Sequence, residues 1–326
     1  MRAVVVDEPG DPEVMRLAEV PDPSIGRGEV LLRVRATAVN RADVLQRMGF
    51  YPPPPGASGI LGLEAAGEVE AVGDGVTGWA PGDHACALLA GGGYAEKVAV
   101  PAGQLMPPPP GLDLVSAAAV PEVFLTAHDN LVTRGRLRPG ETVLVHGGAG
   151  GVGTAAIQVA HRLGARVLAT AGSPERLRIC RDLGADAGID HTAEDFVARV
   201  DELTGGHGAD VILDIMGATY LEPNLRALAA DGRLVVIGLQ GGIHAEIDLN
   251  KMLSRRLSLL ATTLRSRSVE QKADIARRAV AELWPGFADG SLRPVVDRVL
   301  PLDDVVAAHR AMQQGGHTGK IVLRVS

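Results

Sequence analysis

Cysteine is scarce in this chain: Cys86 and Cys180 are the only two in 326 residues. A disulfide framework of the kind that staples small extracellular domains is excluded, and a reducing compartment, the cytoplasm by default, is expected. Aromatic residues are also thin, at 3%, so an aromatic such as Tyr51 on a proline-rich loop (Pro52–Pro55) stands out. No apolar run approaches the roughly 20 residues that span a bilayer, and no charged-then-apolar leader opens the chain. No membrane partner is expected. Positive charge is not in excess either. A formal net charge of −7 offers no general surface for nucleic acid, and no such partner is expected.

Glycine, by contrast, is plentiful, and five glycines fall between Gly147 and Gly153. Before them, Thr142-Val143-Leu144-Val145 is an apolar, β-branched run too short for a helix. After them, Val152, Ala155, Ala156, Val159, Ala160 and Leu163 recur at helical spacing up to Gly164. A second apolar run, Arg166–Thr170, follows at once. Strand, glycine turn, helix and strand make one right-handed parallel unit. Inside the turn, Gly148-Ala149-Gly150-Gly151-Val152-Gly153 fits G-x-G-x-x-G. Gly148 is expected to permit the tight turn, Gly150 to let the backbone approach a pyrophosphate, and Gly153 to let the helix pack on the strand. Gly151 and Val152 open the helix, whose free N–H groups and positive dipole end suit phosphates.

The end of the second strand carries the cofactor choice. An NAD site places a carboxylate there, on the ribose 2′-hydroxyl. Here the stretch reads Thr170-Ala171-Gly172-Ser173-Pro174-Glu175-Arg176. Ser173 can donate to a 2′-phosphate and Arg176 can grip one with charge-assisted bonds, which points to NADP(H). Ser173 as a helix cap ahead of Pro174, with Arg176 solvated, is the competing reading, and the two are compatible.

The length implies two domains. Residues 1 to about 120 read as short strands cut by Gly and Pro, followed by a helix over Ser116–Arg134. From the glycine turn onward, strands at Ala187–Asp190, Asp210–Ile215, Arg233–Gly238 and Leu257–Thr263 alternate with helices at Arg176–Leu183, Ala193–Leu203 and Leu221–Ala230. The fold class expected is α/β: a doubly wound Rossmann-type sheet with its ligand crevice at the strands' carboxyl ends, plus a mostly β domain. Gly238 and Leu239 end one such strand and are expected at the crevice, or form a plain turn. Helices at Val269–Ala288 and Asp303–Gln313 and a strand at Lys320–Val325 close the chain. The boundaries expected are 1–122, completed by 267–326, for the β-rich domain and 123–266 for the nucleotide domain.

The stretches Asn40–Asp43, Arg47–Pro52, Leu61–Gly67, Gly91–Tyr94 and Thr263–Arg267 resemble the zinc-free quinone oxidoreductase branch of the medium-chain dehydrogenase/reductase superfamily, particularly its tumour-suppressor-induced group. The likeness spans essentially the whole chain and implies a GroES-like catalytic domain beside the nucleotide domain. It implies that Asn40 and Thr126 face the nicotinamide, that Leu264 and Arg265 lie at the cofactor, and that Tyr51 lies beside the substrate. Tyr51 is the candidate catalytic residue, as a proton donor or as a stacking ring; packing against the prolines is the alternative. His191 stands where the family has an aromatic near the 2′-phosphate, with an exposed loop histidine as its competitor. Lys320 is a family feature with no role assignable from sequence.

Catalytic zinc needs three convergent ligands. Zinc-dependent relatives have Cys where this chain has Asn40 and His where it has Leu63, so no metal is expected. Without a Lewis acid the acceptor must already be electrophilic, a quinone or an α,β-unsaturated carbonyl. Quinone reduction, enone or enoyl reduction, and a non-catalytic NADPH- or RNA-binding role are the three readings. Finally, Arg256–Thr263 is apolar yet falls at a sheet edge in the usual winding order. A homodimer through Leu257, Leu259 and Ile243–Ile247 is expected.

Overall fold

The computed structural model describes residues 1–325, and these fall into two compact units: Met1–Leu125 with Leu264–Ser326, and Thr126–Thr263. The first begins with a hairpin of β1 (Arg2–Val6) and β2 (Met15–Glu19). The long strand β3 (Glu29–Val39) follows, then α1 (Arg41–Arg47), β4 (Glu64–Val72), β5 (His84–Leu88), β6 (Lys97–Pro101), β7 (Leu105–Met106), α2 (Leu114–Ala117) and α3 (Pro121–His128). Strand β3 buries Val30, Leu32 and Val34 on one face, the period-2 alternation of a half-covered strand.

In the second unit the strands are β8 (Thr142–Val145), β9 (Arg166–Ala171), β10 (Ala187–Asp190), β11 (Ala209–Asp214), β12 (Leu228–Val236) and β13 (Ser258–Ala261). The helices are α4 (Gly151–Arg162), α5 (Pro174–Asp182), α6 (Phe196–Thr204), α7 (Ala218–Ala227) and α8 (Leu249–Arg255). All strand pairs are parallel, in the order β10-β9-β8-β11-β12-β13. Numbered within the unit this is 3-2-1-4-5-6, the doubly wound order, in which the ligand crevice lies where the winding reverses, at the carboxyl ends of β8 and β11. The chain then returns to the first unit through α9 (Val269–Ala288), β14 (Val296–Pro301), α10 (Val305–Gln314) and β15 (Lys320–Arg324). Strand β15 pairs antiparallel with β3, so the last residues complete the first unit's sheet.

Three local expectations are corrected. The single helix over Ser116–Arg134 is instead α2, α3 and a π-helical segment Asp129–Arg134; Pro121, lacking an N–H, starts a helix and does not continue one. The helix expected to reach Ala230 stops at Ala227, and β12 begins at Leu228. An irregular register between Ala209 and Val211 takes up the intervening residues, with Asp231 in a left-handed conformation at φ 60°. The sixth strand is shorter than Leu257–Thr263, and Leu257 packs into the unit's core among Leu234 and Met252. It is therefore not a surface for a partner. The stretch 241–248 forms no strand.

Candidate functional site

The glycine turn closes between β8 and α4 in a way that divides labour among its glycines. Gly147 takes the left-handed conformation, at φ 65°. Gly148 does not, so the tight turn belongs to Gly147. What Gly148 provides is clearance: a Cβ there would come within 2.9 Å of both Ala169 Cβ and Cys180 Sγ. Gly153 is tighter still, with a built Cβ 2.2 Å from the Gly147 carbonyl oxygen, so helix and strand touch backbone to backbone. At Gly150 a Cβ would meet only that same oxygen, at 3.3 Å. Gly150 is also the N-cap of α4, and no side chain caps the helix there. The first-turn N–H groups of Gly151, Val152 and Gly153 are left for an external acceptor, which an anion supplies best.

The carboxyl ends of β9 and β10 assemble a second group of polar residues. Ser173 is the N-cap of α5, its Oγ accepting from the Arg176 N–H at 3.3 Å, with Pro174 in the first helical turn. The hydroxyl proton stays available to donate. His191 follows β10 and lies over the preceding strand end: a Cβ on Gly172 would sit 3.2 Å from His191 Nε2. Ser173, Arg176 and His191 thus share one corner of the sheet. Glu175, the nearest carboxylate in sequence, is exposed on α5. Beneath this corner lies His146, which sequence reasoning missed. Its ring is buried after β8, with Nδ1 3.2 Å from Thr170 Oγ1 and Nε2 2.8 Å from Asn224 Oδ1. Burial lowers it to about 4, so it is a neutral strut between strand and helix. At the end of β12, Gly238 lies so close to Ile215 that a Cβ would meet its carbonyl oxygen at 2.8 Å, while Leu239 is exposed.

In the first unit Asn40 ends β3 and caps α1, its N–H donating to Asp43 at 2.8 Å. Both ends of its amide are taken. Nδ2 donates to Glu64 Oε1 at 2.8 Å, and Oδ1 accepts from the Lys320 ammonium at 2.6 Å. Lys320 also reaches Glu64 at 2.8 Å and the Val39 carbonyl at 2.9 Å. The far oxygen of Glu64 accepts the Glu122 N–H at 2.9 Å. This pair is almost wholly buried, at 3% and 0% side-chain exposure. It finds a place for Lys320, which sequence alone could not. Burial and then the Glu64 carboxylate push the neighbouring Glu122 carboxyl up to about 8. Burial likewise raises Asp43 to about 6, against the bonds it accepts from Asn40 and Gly62. A signal for Glu64 was present: a lone carboxylate inside Leu61–Gly67 requires a buried partner.

Tyr51 is half-buried, and the Arg265 guanidinium stacks on its ring at 5.2 Å. Arg265 also donates to the carbonyls of Ala90 (2.8 Å) and Tyr51 (3.2 Å) and to Gln46 Oε1 (2.5 Å). Leu264 beside it is buried. Thr126 lies in α3, its carbonyl accepting from Asn130 Nδ2 at 2.8 Å. Tyr94, by contrast, is fully buried and tied to His309 at 3.1 Å.

Comparison with known proteins agrees with this architecture. The family model for the alcohol dehydrogenase GroES-like domain matches residues 26–110, and that for zinc-binding dehydrogenases matches residues 151–279. The quinone oxidoreductase of Rattus norvegicus is 33% identical over 99% of this chain and 97% of its own. The chain belongs to the quinone oxidoreductase group of the medium-chain dehydrogenases/reductases. Among solved structures, a mycobacterial protein complexed with NADPH superposes with a TM-score of 0.90 at 33% identity, covering 99% of this chain and 100% of the other. An NAD-dependent alcohol dehydrogenase gives 0.87 at 38%, covering all of both chains. The apo form of an enoyl reductase gives 0.89 at 26%, covering 100% and 99%. Among its described residues no three His, Cys, Asp or Glu side chains converge as a metal set, and no helix is long and apolar enough to cross a membrane.

Proposed function

We propose that this chain is a zinc-independent, NADPH-dependent quinone oxidoreductase. The observation that carries the cofactor reading is the β9–β10 corner, where Ser173, Arg176 and His191 gather and Glu175 turns to solvent. A 2′-phosphate is served there by one hydroxyl, one guanidinium and one imidazole. A bare 2′-hydroxyl would find no carboxylate at the end of β9, and Asp190 at the end of β10 is engaged by Thr192. The same corner argues against the NAD preference of the alcohol dehydrogenase neighbour. The first-turn N–H groups at Gly151–Gly153 hold the pyrophosphate, with Gly150 leaving room for it. Gly238 and Leu239 flank it at the end of β12.

NADPH supplies the hydride when bound. The chain's own residues orient and desolvate. Asn40, its amide locked by Glu64 and Lys320, and Thr126 on α3 are the residues assigned to the nicotinamide. Leu264 and Arg265 are assigned to the cofactor as well, and Arg265 holds the Tyr51 ring in place as the residue that meets the acceptor. Zinc does not fit. The Asn40 amide oxygen is already taken by an ammonium, and Leu63 is apolar and buried. An acceptor that needs no Lewis acid follows from that, and of a quinone and an α,β-unsaturated carbonyl we take the quinone as the first reading, after the quinone oxidoreductase relatives. A second reading, reduction of 2-alkenals or enoyl substrates by the same machinery, is favoured by the likeness to an enoyl reductase.

Arg176→Ala tests the reading. NADPH binding should weaken by about 1.5–3 kcal/mol, the worth of a hydrogen bond to a charged group, with NADH binding nearly unchanged in the same titration. Equal loss for both would remove Arg176 from the 2′-phosphate.

The assembly proposed is a homodimer. Strand β13 is a sheet edge, Leu259 on it is 40% exposed, and Ile243 (70%) and Leu253 (78%) are exposed nearby. Light scattering should give twice the 33.8 kDa chain mass or a higher even multiple, and Ala245→Pro should shift it towards monomer. A monomeric native protein would refute the assignment.

A further inference from the structure

The first unit contains a cavity of about 830 Å³, one of whose lining residues, Arg265, already has a role above. One wall is the Arg265–Val269 segment with the first turns of α9; the opposite wall is the Pro54–Ser58 loop and Leu89–Gly92. Two polar side chains face it without a partner. Lys272, in the second turn of α9, is 4% exposed, and no hydrogen bond or ion pair holds its ammonium. Gln104 is 3% exposed, and its amide is likewise unengaged. Both line the same cavity, and a Cβ on Gly103 would stand 2.7 Å from Ala273 Cβ, which seats the turn before β7 directly on α9.

Holding a mostly buried cation and amide with no protein partner is costly, and the surrounding charge makes it worse. Arg265, close enough to depress Lys272 further, donates only to neutral oxygens. Burial lowers Lys272 first of all, and Glu122 is the carboxyl that opposes this. Glu122 makes no ion pair with Lys272, and its own neighbour Glu64 holds it towards the protonated form. The carboxylate lining the cavity, Glu29, is already occupied by the Gly26 N–H. The lining therefore brings together an unpaired cation, an idle amide and residues of the N-terminal end of a 20-residue helix.

We infer that this cavity is an oxyanion-binding site, in which Lys272 and Gln104 hold a carboxylate or phosphate group of a small molecule whose remainder fills the cavity. The inference rests on Lys272 and Gln104, neither of which the NADPH reading uses.

Calorimetric titration with inorganic phosphate in one arm and glutarate in the other tests it, using the native protein, Lys272→Met, Gln104→Leu and Arg176→Ala. At least one anion should saturate a single site, and the tighter of the two identifies the group as phosphate or carboxylate. Lys272→Met should weaken that binding about tenfold or more, and Arg176→Ala should leave it intact. Because the methionine removes a buried charge, the anion-free melting temperature of Lys272→Met should stay level or rise while its anion-dependent increase disappears. Should Lys272→Met fail to fold, Gln104→Leu carries the comparison, with a smaller loss of the same binding. Flat titrations with both anions overturn the proposal. So does binding that survives both cavity substitutions, or that disappears only in Arg176→Ala.

Discussion

Gly150→Val should leave a folded protein with no measurable affinity for NADPH or NADH, whereas Gly153→Val should fail to fold its nucleotide unit. The difference comes from what each new side chain meets. At Gly150 the nearest atom to a Cβ is one carbonyl oxygen at 3.3 Å, tight but yielding by a few tenths of an ångström. The valine methyls then occupy the approach to the helix N-terminus, which is where a pyrophosphate has to sit. At Gly153 the Cβ would be 2.2 Å from the Gly147 oxygen and 2.7 Å from Gly148 Cα. Both are backbone atoms in the turn that joins the central strand to its helix, so nothing flexible can move aside. Overpacking of this kind exceeds the roughly 1–3 kcal/mol of an inserted methylene. Thermal unfolding and calorimetric titration of the two variants separate the outcomes. Normal cofactor binding by Gly150→Val would show that the turn is not the pyrophosphate site.

Lys320→Met should destabilise the protein by about 3–5 kcal/mol, the cost of stranding one member of a buried ion pair. Glu64 would keep its bonds from Asn40 Nδ2 and the Glu122 N–H but would lose, among the described residues, its one cation at hydrogen-bond distance. Adding Glu64→Gln should recover part of that loss, since the buried charge is then gone. Urea unfolding of the single and double variants gives the comparison. A loss below about 1 kcal/mol for Lys320→Met, as for an exposed pair, would contradict the buried network. Cofactor affinity in the same variants reports whether Asn40 depends on the pair for its orientation.

The nucleotide unit was the more legible half in sequence because its signals are local. Thr142–Val145, the glycine turn and the periodic apolar positions of α4 lie within about twenty residues, and each element's type follows from its own pattern. The cap at Ser173 was equally readable. The Asn40–Glu64–Lys320 network was not, because its members are separated by up to 280 residues and meet only when β15 pairs with β3. Spacing cannot report such a meeting; only the oddity of a carboxylate in Leu61–Gly67 and a lysine opening an apolar strand hinted at it. The tight turn was assigned to Gly148 because the fingerprint begins there, while the backbone places the left-handed residue one position earlier. Leu257 was misread for a related reason: hydrophobicity tells that a residue will be buried but not by which surface, and its own core took it.

The measurement that bears most directly on the function is NADPH oxidation by the metal-free protein against ortho-quinones, para-quinones and 2-alkenals, with NADH run in parallel. The account predicts turnover with quinones, and kcat/KM for NADPH exceeding that for NADH by about tenfold or more, as expected of a charge-assisted contact to the 2′-phosphate. Turnover confined to 2-alkenals would select the enone reading. No turnover with any acceptor, or a preference for NADH, would contradict it.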